Sequence, residues 1–170
     1  MMDSAVEPGR VGGIDRTQLA RLIALLLPMA LLGGALGSQY LGGLTPCEMC
    51  YWQRYPHWAA ILLAVLSFTS SADTPRSRLL VLLAALAIAL SGAIGFYHAG
   101  VELGVFEGLT TCTATASGTG ADLLNEIMNA PLVRCDQVQF SFLGVSMAGW
   151  NAILSLGGAL AILLLSRKAR

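Results

Sequence analysis

The sequence predicts an all-α membrane protein: a bundle of four transmembrane helices with both termini cytoplasmic and a long second external loop. Three observations carry that prediction. Of 170 residues, 55% are hydrophobic and only 12% charged, at a mean hydropathy of +0.68, which is too apolar for an ordinary soluble domain. Four charge-free apolar stretches, at about 22–43, 55–72, 79–101 and 141–166, each supply the roughly 20 residues that a helix needs to cross about 30 Å of hydrocarbon. Arginine and lysine, finally, are distributed unevenly between the connections.

The stretches are read as helices because backbone groups in lipid must be satisfied within their own segment, and none of the four alternates like a barrel strand. Orientation follows from the basic residues, which short cytoplasmic loops retain. Arg10, Arg16 and Arg21 precede the first stretch, Arg76 and Arg78 join the second to the third, and Arg167, Lys168 and Arg170 follow the fourth; only Arg54 and Arg134 fall on the other side. The spans are therefore placed at about 20–40, 52–71, 78–98 and 143–166, with external loops at about 41–51 and 99–142. All aromatic residues but Phe68 gather toward the external half, as an interfacial belt requires. The net charge of zero conceals this asymmetry and says nothing about partners.

Residues 1–15, polar and carrying Pro8 and three glycines, read as a loose cytoplasmic tail. A cleaved signal peptide is not expected, since the first apolar stretch is long enough to span. Residues 16–170 read as a single four-helix membrane domain without internal repeat. The connection at 67–77, rich in Ser and Thr with Pro75, is a turn region. Within the second external loop, Leu123, Leu124, Ile127 and Met128 recur at helical spacing, which fits a short amphipathic helix lying on the membrane surface or on the protein itself. Gly118 and Gly120 before it should keep the arm carrying Cys112 mobile. The small-residue clusters Gly33-Gly34-Ala35, Ala84-Ala85 and Gly157-Gly158-Ala159 are read as sites of close helix packing.

Function is sought in the cysteines, because all four, Cys47, Cys50, Cys112 and Cys135, fall in the two external loops. Thr45-Pro46-Cys47-Glu48 has the form of a helix start, with Thr45 as N-cap, Pro46 at the first helical position and Glu48 completing a capping box. Cys47 and Cys50 then lie three apart on one face of the first turns, near the positive end of the helix dipole, where a thiolate is favoured. Arg54, one turn deeper, can stabilise that thiolate or hold an oxygen of a bound acceptor; alternatively it snorkels to lipid headgroups. The Cys-x-x-Cys pair also admits a structural disulfide or half of a metal site, although zinc would need all four thiolates and suits an oxidising face poorly. Cys112 and Cys135 could form a simple stapling disulfide. Two pairs together, one in a loop and one at the membrane surface, favour two-electron thiol exchange from the outer pair to the inner one.

The run Pro46-Cys47-Glu48-Met49-Cys50-Tyr51-Trp52-Gln53-Arg54, the segment Tyr97-His98-Ala99-Gly100-Val101-Glu102 ahead of Cys112, and Cys135-Asp136 leading into Phe142-Leu143-Gly144-Val145-Ser146-Met147-Ala148-Gly149-Trp150-Asn151 resemble the DsbB family of disulfide bond formation proteins. The resemblance covers about residues 22–165. It implies an enzyme of the bacterial inner membrane, active side periplasmic, that reoxidises a DsbA-like dithiol oxidase and reduces membrane quinone, either ubiquinone or menaquinone. By the same resemblance Cys112 receives the partner's thiolate, and Cys135 passes electrons on through a transient bond with Cys47. Cys50 faces the quinone as a thiolate, Arg54 occupies the quinone-site position, and His98 lies near the quinone side. Gln53 stands where some members carry an acid. DsbA is a strong oxidant, so its reoxidation must be pulled by an acceptor. No strand-Gly-x-Gly-x-x-Gly-helix unit is present for flavin or NAD, two histidines on different spans argue against a b-type haem, and no metal is expected.

His57 and the tryptophans read as helix-boundary residues. A vitamin K epoxide reductase-like oxidoreductase is the rival enzyme, but in that family the loop pair precedes the Cys-x-x-Cys, whereas here it follows. A non-catalytic membrane protein with stapled loops is the other alternative. Transport is disfavoured, because no charged residue interrupts the four spans.

Overall fold

The computed structural model describes residues 10–11, 14–108, 120 and 133–167. A short antiparallel ribbon, β1 (Arg10–Val11) with β2 (Ile14–Asp15), leads into α1 (Arg16–Tyr40). Helices α2 (Glu48–Ser67) and α3 (Pro75–Glu102) follow. A second ribbon, β3 (Ser141–Phe142) with β4 (Val145–Ser146), then opens α4 (Met147–Leu165). The described residues thus hold four long helices. Three of them, α1, α3 and α4, are long and apolar enough to cross a membrane, so the chain is a multi-pass membrane protein. Helix α2 falls short of that apolarity because it carries Gln53, Arg54 and His57, all of them buried.

The helix ends follow local chemistry. Thr74 caps α3, its hydroxyl accepting the Ser77 N–H, with Pro75 in the first turn; Ser146 caps α4 through the Gly149 N–H. At α2 the expectation is corrected. The cap is Cys47, whose sulfur accepts the Cys50 N–H at 3.4 Å, so the helix starts two residues after the Thr45 position and Pro46 stays in the connection. The fourth span is also shorter than the apolar stretch suggests: 141–146 is a hairpin turning at Leu143 and Gly144, with φ of 53° and 77°, the two positive angles that a tight two-residue turn of this hand demands. Hydropathy cannot distinguish such a stub from a helix. Likewise the end of the presumed tail is paired ribbon at 10–11 and 14–15; 1–9, 12–13, the amphipathic segment at 121–130 and Cys112 lie outside the described residues.

Helix α3 packs between α2 and α4, and α1 closes the bundle against both. The core is built from small side chains: Ala24, Ala60, Ala64 and Ala84 are fully buried beside Ile88 and Ile162. Where lipid replaces water there is little hydrophobic force between helices, and close van der Waals approach has to supply the cohesion. Gly158 serves it: a Cβ there would lie 2.0 Å from Leu27 Cδ2. Gly95 serves it too, with the Ala148 carbonyl 3.0 Å from where its Cβ would stand. Gly33, Gly34 and Gly157, by contrast, have nothing within 4 Å, so their reading as packing sites is withdrawn. The antiparallel order of the helices gathers the start of α2, the end of α3 and the start of α4 at one end, with Cys47 and Cys50. Arg16, Arg21, Arg78 and Arg167 gather at the other.

Candidate functional site

Cys47 is buried at the head of α2, and its sulfur lies 3.0 Å from that of Cys50, one helical turn on. From the opposite side His98, near the end of α3, brings Nε2 to 3.6 Å from the Cys47 sulfur. The buried Cys135 completes the group: its sulfur, the Cys47 sulfur and a His98 ring nitrogen all lie within 4.8 Å of one another. The segments that carry Cys47 and Cys135 therefore meet, with Cys135 against Cys47 and Cys50 beyond it.

The shared hydrogen bond splits the first pair electrostatically. It pushes the Cys47 thiol well above the ordinary range, and burial adds to the rise. The same bond holds Cys50 below that range, against the opposing cost of burial, and the Arg54 charge acts in the same direction. Of the two, Cys50 is the sulfur on which a negative charge is favoured, and Cys47 the one on which it is disfavoured.

Arg54 is buried, at 9% exposure, so it does not snorkel. Its guanidinium donates to Gln39 Oε1 at 2.5 Å and to the Ala35 carbonyl at 3.1 Å, both on α1, and it lies 5.1 Å from the Tyr51 ring. Its Nε has no partner among the described residues. Beside it a cleft of about 160 Å³ opens between α1, α2 and α4, walled by Leu31, Cys50, Arg54, Phe140, Phe142 and Trp150 among others. An apolar and aromatic wall with a thiol and one unpartnered guanidinium nitrogen suits a flat, lipid-soluble carbonyl compound. His98 lines an adjoining, smaller pocket of about 60 Å³, which shares Cys50, Arg54 and Phe140 with the cleft and adds Cys47 and Glu102.

A buried polar ladder joins the two regions. Gln53 Nε2 donates to His98 Nδ1 at 2.8 Å; Asn151 Nδ2 donates to Gln53 Oε1 at 2.8 Å; and His57 Nε2 donates to Asn151 Oδ1 at 2.9 Å, with Ser91 Oγ at the same distance. His57 is 3% exposed and belongs to this ladder, which overturns its reading as a boundary residue. In these amide orientations His98 accepts on Nδ1 and carries its proton on Nε2, which also points at the Cys135 carbonyl, 3.2 Å away. A metal held by Cys47, His98 and Cys135 would have to displace that proton, so the tautomer favours a hydrogen-bonding histidine over a ligand. The signal for the ladder was present in the sequence: Cys50, Gln53, Arg54 and His57 are spaced three and four apart, on one helix face, and Ser91 and Asn151 are polar residues inside apolar stretches.

The comparisons with known proteins agree with this geometry. The family model described as Disulfide bond formation protein DsbB matches residues 17–165. A Disulfide bond formation protein B of Verminephrobacter eiseniae is 35% identical, covering 92% of this chain and 91% of its own length. Proteins of the same name from a Polaromonas species and from Chromohalobacter salexigens are each 31% identical, covering 88% and 78% of this chain and 92% and 80% of their own. No solved structure matches the chain.

Proposed function

The chain belongs to the DsbB family of disulfide bond formation proteins, and from that membership we propose that it is a membrane thiol oxidase that reoxidises a DsbA-like periplasmic dithiol oxidase and delivers the electrons to membrane quinone. The observation that carries the reading is the row of sulfurs: Cys135 against Cys47, Cys47 3.0 Å from Cys50, and Cys50 at the wall of an aromatic cleft.

The exchange balances as follows. A thiolate of the partner attacks the Cys112–Cys135 disulfide at Cys112, forming a mixed disulfide and releasing Cys135 as thiolate. Cys135 then attacks Cys47 of the Cys47–Cys50 disulfide, and Cys50 leaves with the electron pair. The Arg54 charge favours the Cys50 thiolate and so suits Cys50 to that departure, since a thiol of lower pKa is the better leaving group. The partner's second thiolate resolves the mixed disulfide and frees Cys112, which recloses on Cys135 and releases Cys47. The inner pair is now reduced, Cys47 as thiol and Cys50 as thiolate, the arrangement described above. Quinone, when bound, supplies a two-electron oxidant that dissolves in the bilayer. Cys50 and Arg54, with the ring wall of Phe140, Phe142 and Trp150, would hold it. His98, hydrogen-bonded by Gln53, orients its Nε2–H toward the sulfur of Cys47 and the backbone of Cys135.

In the same reading α2 also crosses the membrane, from about residue 52 as the second of four spans, its polar residues turned inward to the site. Both termini are cytoplasmic, 1–15 is a tail and 16–170 one domain, in a bacterial inner membrane. The test is stoichiometric: membranes containing the protein should oxidise a reduced DsbA-like substrate and reduce quinone in equal amounts, with Cys50→Ser and Cys112→Ser each abolishing turnover. Full activity in both variants would leave the cysteines as loop staples. Trapping a mixed disulfide between Cys112 and a periplasmic protein would identify the partner.

A further inference from the structure

At the end of the bundle away from the cysteines lies a larger cavity, about 230 Å³, where the start of α1, the start of α3 and the end of α4 converge. Four arginines line it: Arg16, Arg21, Arg78 and Arg167. None of them pairs with a carboxylate among the described residues. Asp15 and Asp73 share the wall, with the Thr17 hydroxyl within hydrogen-bond reach of both, at 3.3 Å in the case of Asp73. Four arginines against two aspartates leave the cavity a formal excess of two positive charges.

The arginines are only partly satisfied. Arg21 is 3% exposed, and its Nη2 donates to the carbonyls of Ser67 at 2.6 Å and Ser70 at 3.2 Å, yet its Nε is buried with no partner. Among the described residues Arg16 reaches only the Leu164 carbonyl, at 3.4 Å, and its Nε, like that of Arg21, is buried with no partner there. Helix α1 begins at this cavity with no side-chain cap hydrogen bond from Asp15, so the positive end of the helix dipole adds to the field there. Beneath the charges the wall turns apolar at Ala20, Val81 and Leu165. Buried guanidinium nitrogens without acceptors are costly, and an anion is what would satisfy them.

We propose that this cavity binds the phosphate of an anionic phospholipid, seated between α1, α3 and α4 on Arg16, Arg21, Arg78 and Arg167. The shared chemistry is a phosphate oxyanion held by guanidinium groups. The apolar floor and the position at the ends of membrane-spanning helices argue for a lipid headgroup over free phosphate, because the glycerol and acyl chains continue down the apolar wall. The site is independent of the thiol chemistry, and so is its test.

The full chain, purified in neutral detergent and stripped of lipid, is unfolded thermally with added phosphatidylglycerol or phosphatidylcholine. Phosphatidylglycerol should raise the midpoint by several degrees and phosphatidylcholine should not, as expected for a ligand of the folded state alone. The Arg16→Gln/Arg78→Gln pair should lose most of that difference. Arg76→Gln should keep it, because Arg76 is exposed and outside the cavity. If the double variant does not fold, Arg167→Gln, at an exposed residue, should reduce the difference. Equal shifts from the two lipids, or a loss in Arg76→Gln as large as in Arg16→Gln/Arg78→Gln, would overturn the site in favour of diffuse attraction to charged headgroups. An equal shift with millimolar inorganic phosphate would overturn the lipid as its source.

Discussion

Arg54 and Arg21 fasten the two ends of the same helix pair by the same device. Arg54 on α2 donates to Gln39 and Ala35 of α1, whereas Arg21 on α1 donates to the carbonyls of Ser67 and Ser70 at the end of α2. Each lies over an aromatic ring, Tyr51 at 5.1 Å and Phe68 at 4.2 Å, and each has an unpartnered Nε. Only their neighbours differ. Arg54 stands one turn from Cys50, over a cleft backed by the Gln53, Asn151 and His57 ladder; Arg21 stands among other arginines with no sulfur in reach. A buried arginine is thus first a helix clamp, and the groups around it decide whether it also does chemistry.

The comparison can be broken most directly at the end that does no thiol chemistry. Arg21→Ala removes the donor of two carbonyls at the end of α2, and should cost about 3 kcal/mol in reversible unfolding while leaving the Michaelis constants for quinone and protein substrate unchanged. Wild-type stability in that variant would deny the clamp. Asn151→Leu breaks the ladder at the other end. It strands Gln53 Oε1 and leaves His57 Nε2 with Ser91 alone, at a cost of about 2 kcal/mol, near the upper end for hydrogen bonds between membrane helices. Arg54→Ala should separate from Arg21→Ala in kinetics, raising the quinone Michaelis constant about tenfold, or roughly 1.4 kcal/mol, with that of the protein substrate unmoved. Equal effects on both substrates would make Arg54 a clamp only.

A pH titration sharpens the contrast with the smallest effect. Alkylation follows the thiolate, and the Cys50 thiol is held below its ordinary range by the Cys47 hydrogen bond and the Arg54 charge. The midpoint of its iodoacetamide rate should therefore fall below the roughly 8.5 of an unperturbed thiol. Arg54→Gln should move it upward, since the cation that favours the charged form is gone; Arg21→Gln should leave it in place. A wild-type midpoint at or above the ordinary value would contradict the assignment of charge to Cys50.

Much of this was legible along the chain. The Cys-x-x-Cys with Arg54 four residues on could be read as one helix face because helical spacing is local. The arginines of one end could be read as a group because charge and hydropathy are properties of composition. His57 was misjudged for an equally physical reason: a histidine near an apolar boundary has the same sequence signature whether it meets lipid or Asn151, 94 residues away. The cap at Thr45 failed because a thiol, seldom counted among capping groups, took the Cys50 N–H first. Gly33 and Gly158 sit in similar small-residue runs, yet only Gly158 has a neighbour that needs its missing side chain.

The amino-acid sequence alone determined the membrane class, the main helical segments and the grouping of cysteines away from all basic residues but Arg54 and Arg134, since apolar length, charge bias and residue spacing act over one helix at a time. Only the tertiary structure decided that Cys135 rests against Cys47, that Arg54 is buried on α1, that His98 reaches the sulfur of Cys47, and that four arginines share one cavity. Those are contacts between elements distant along the chain. They depend on how closely alanines and glycines let the helices approach, a quantity that no single segment carries.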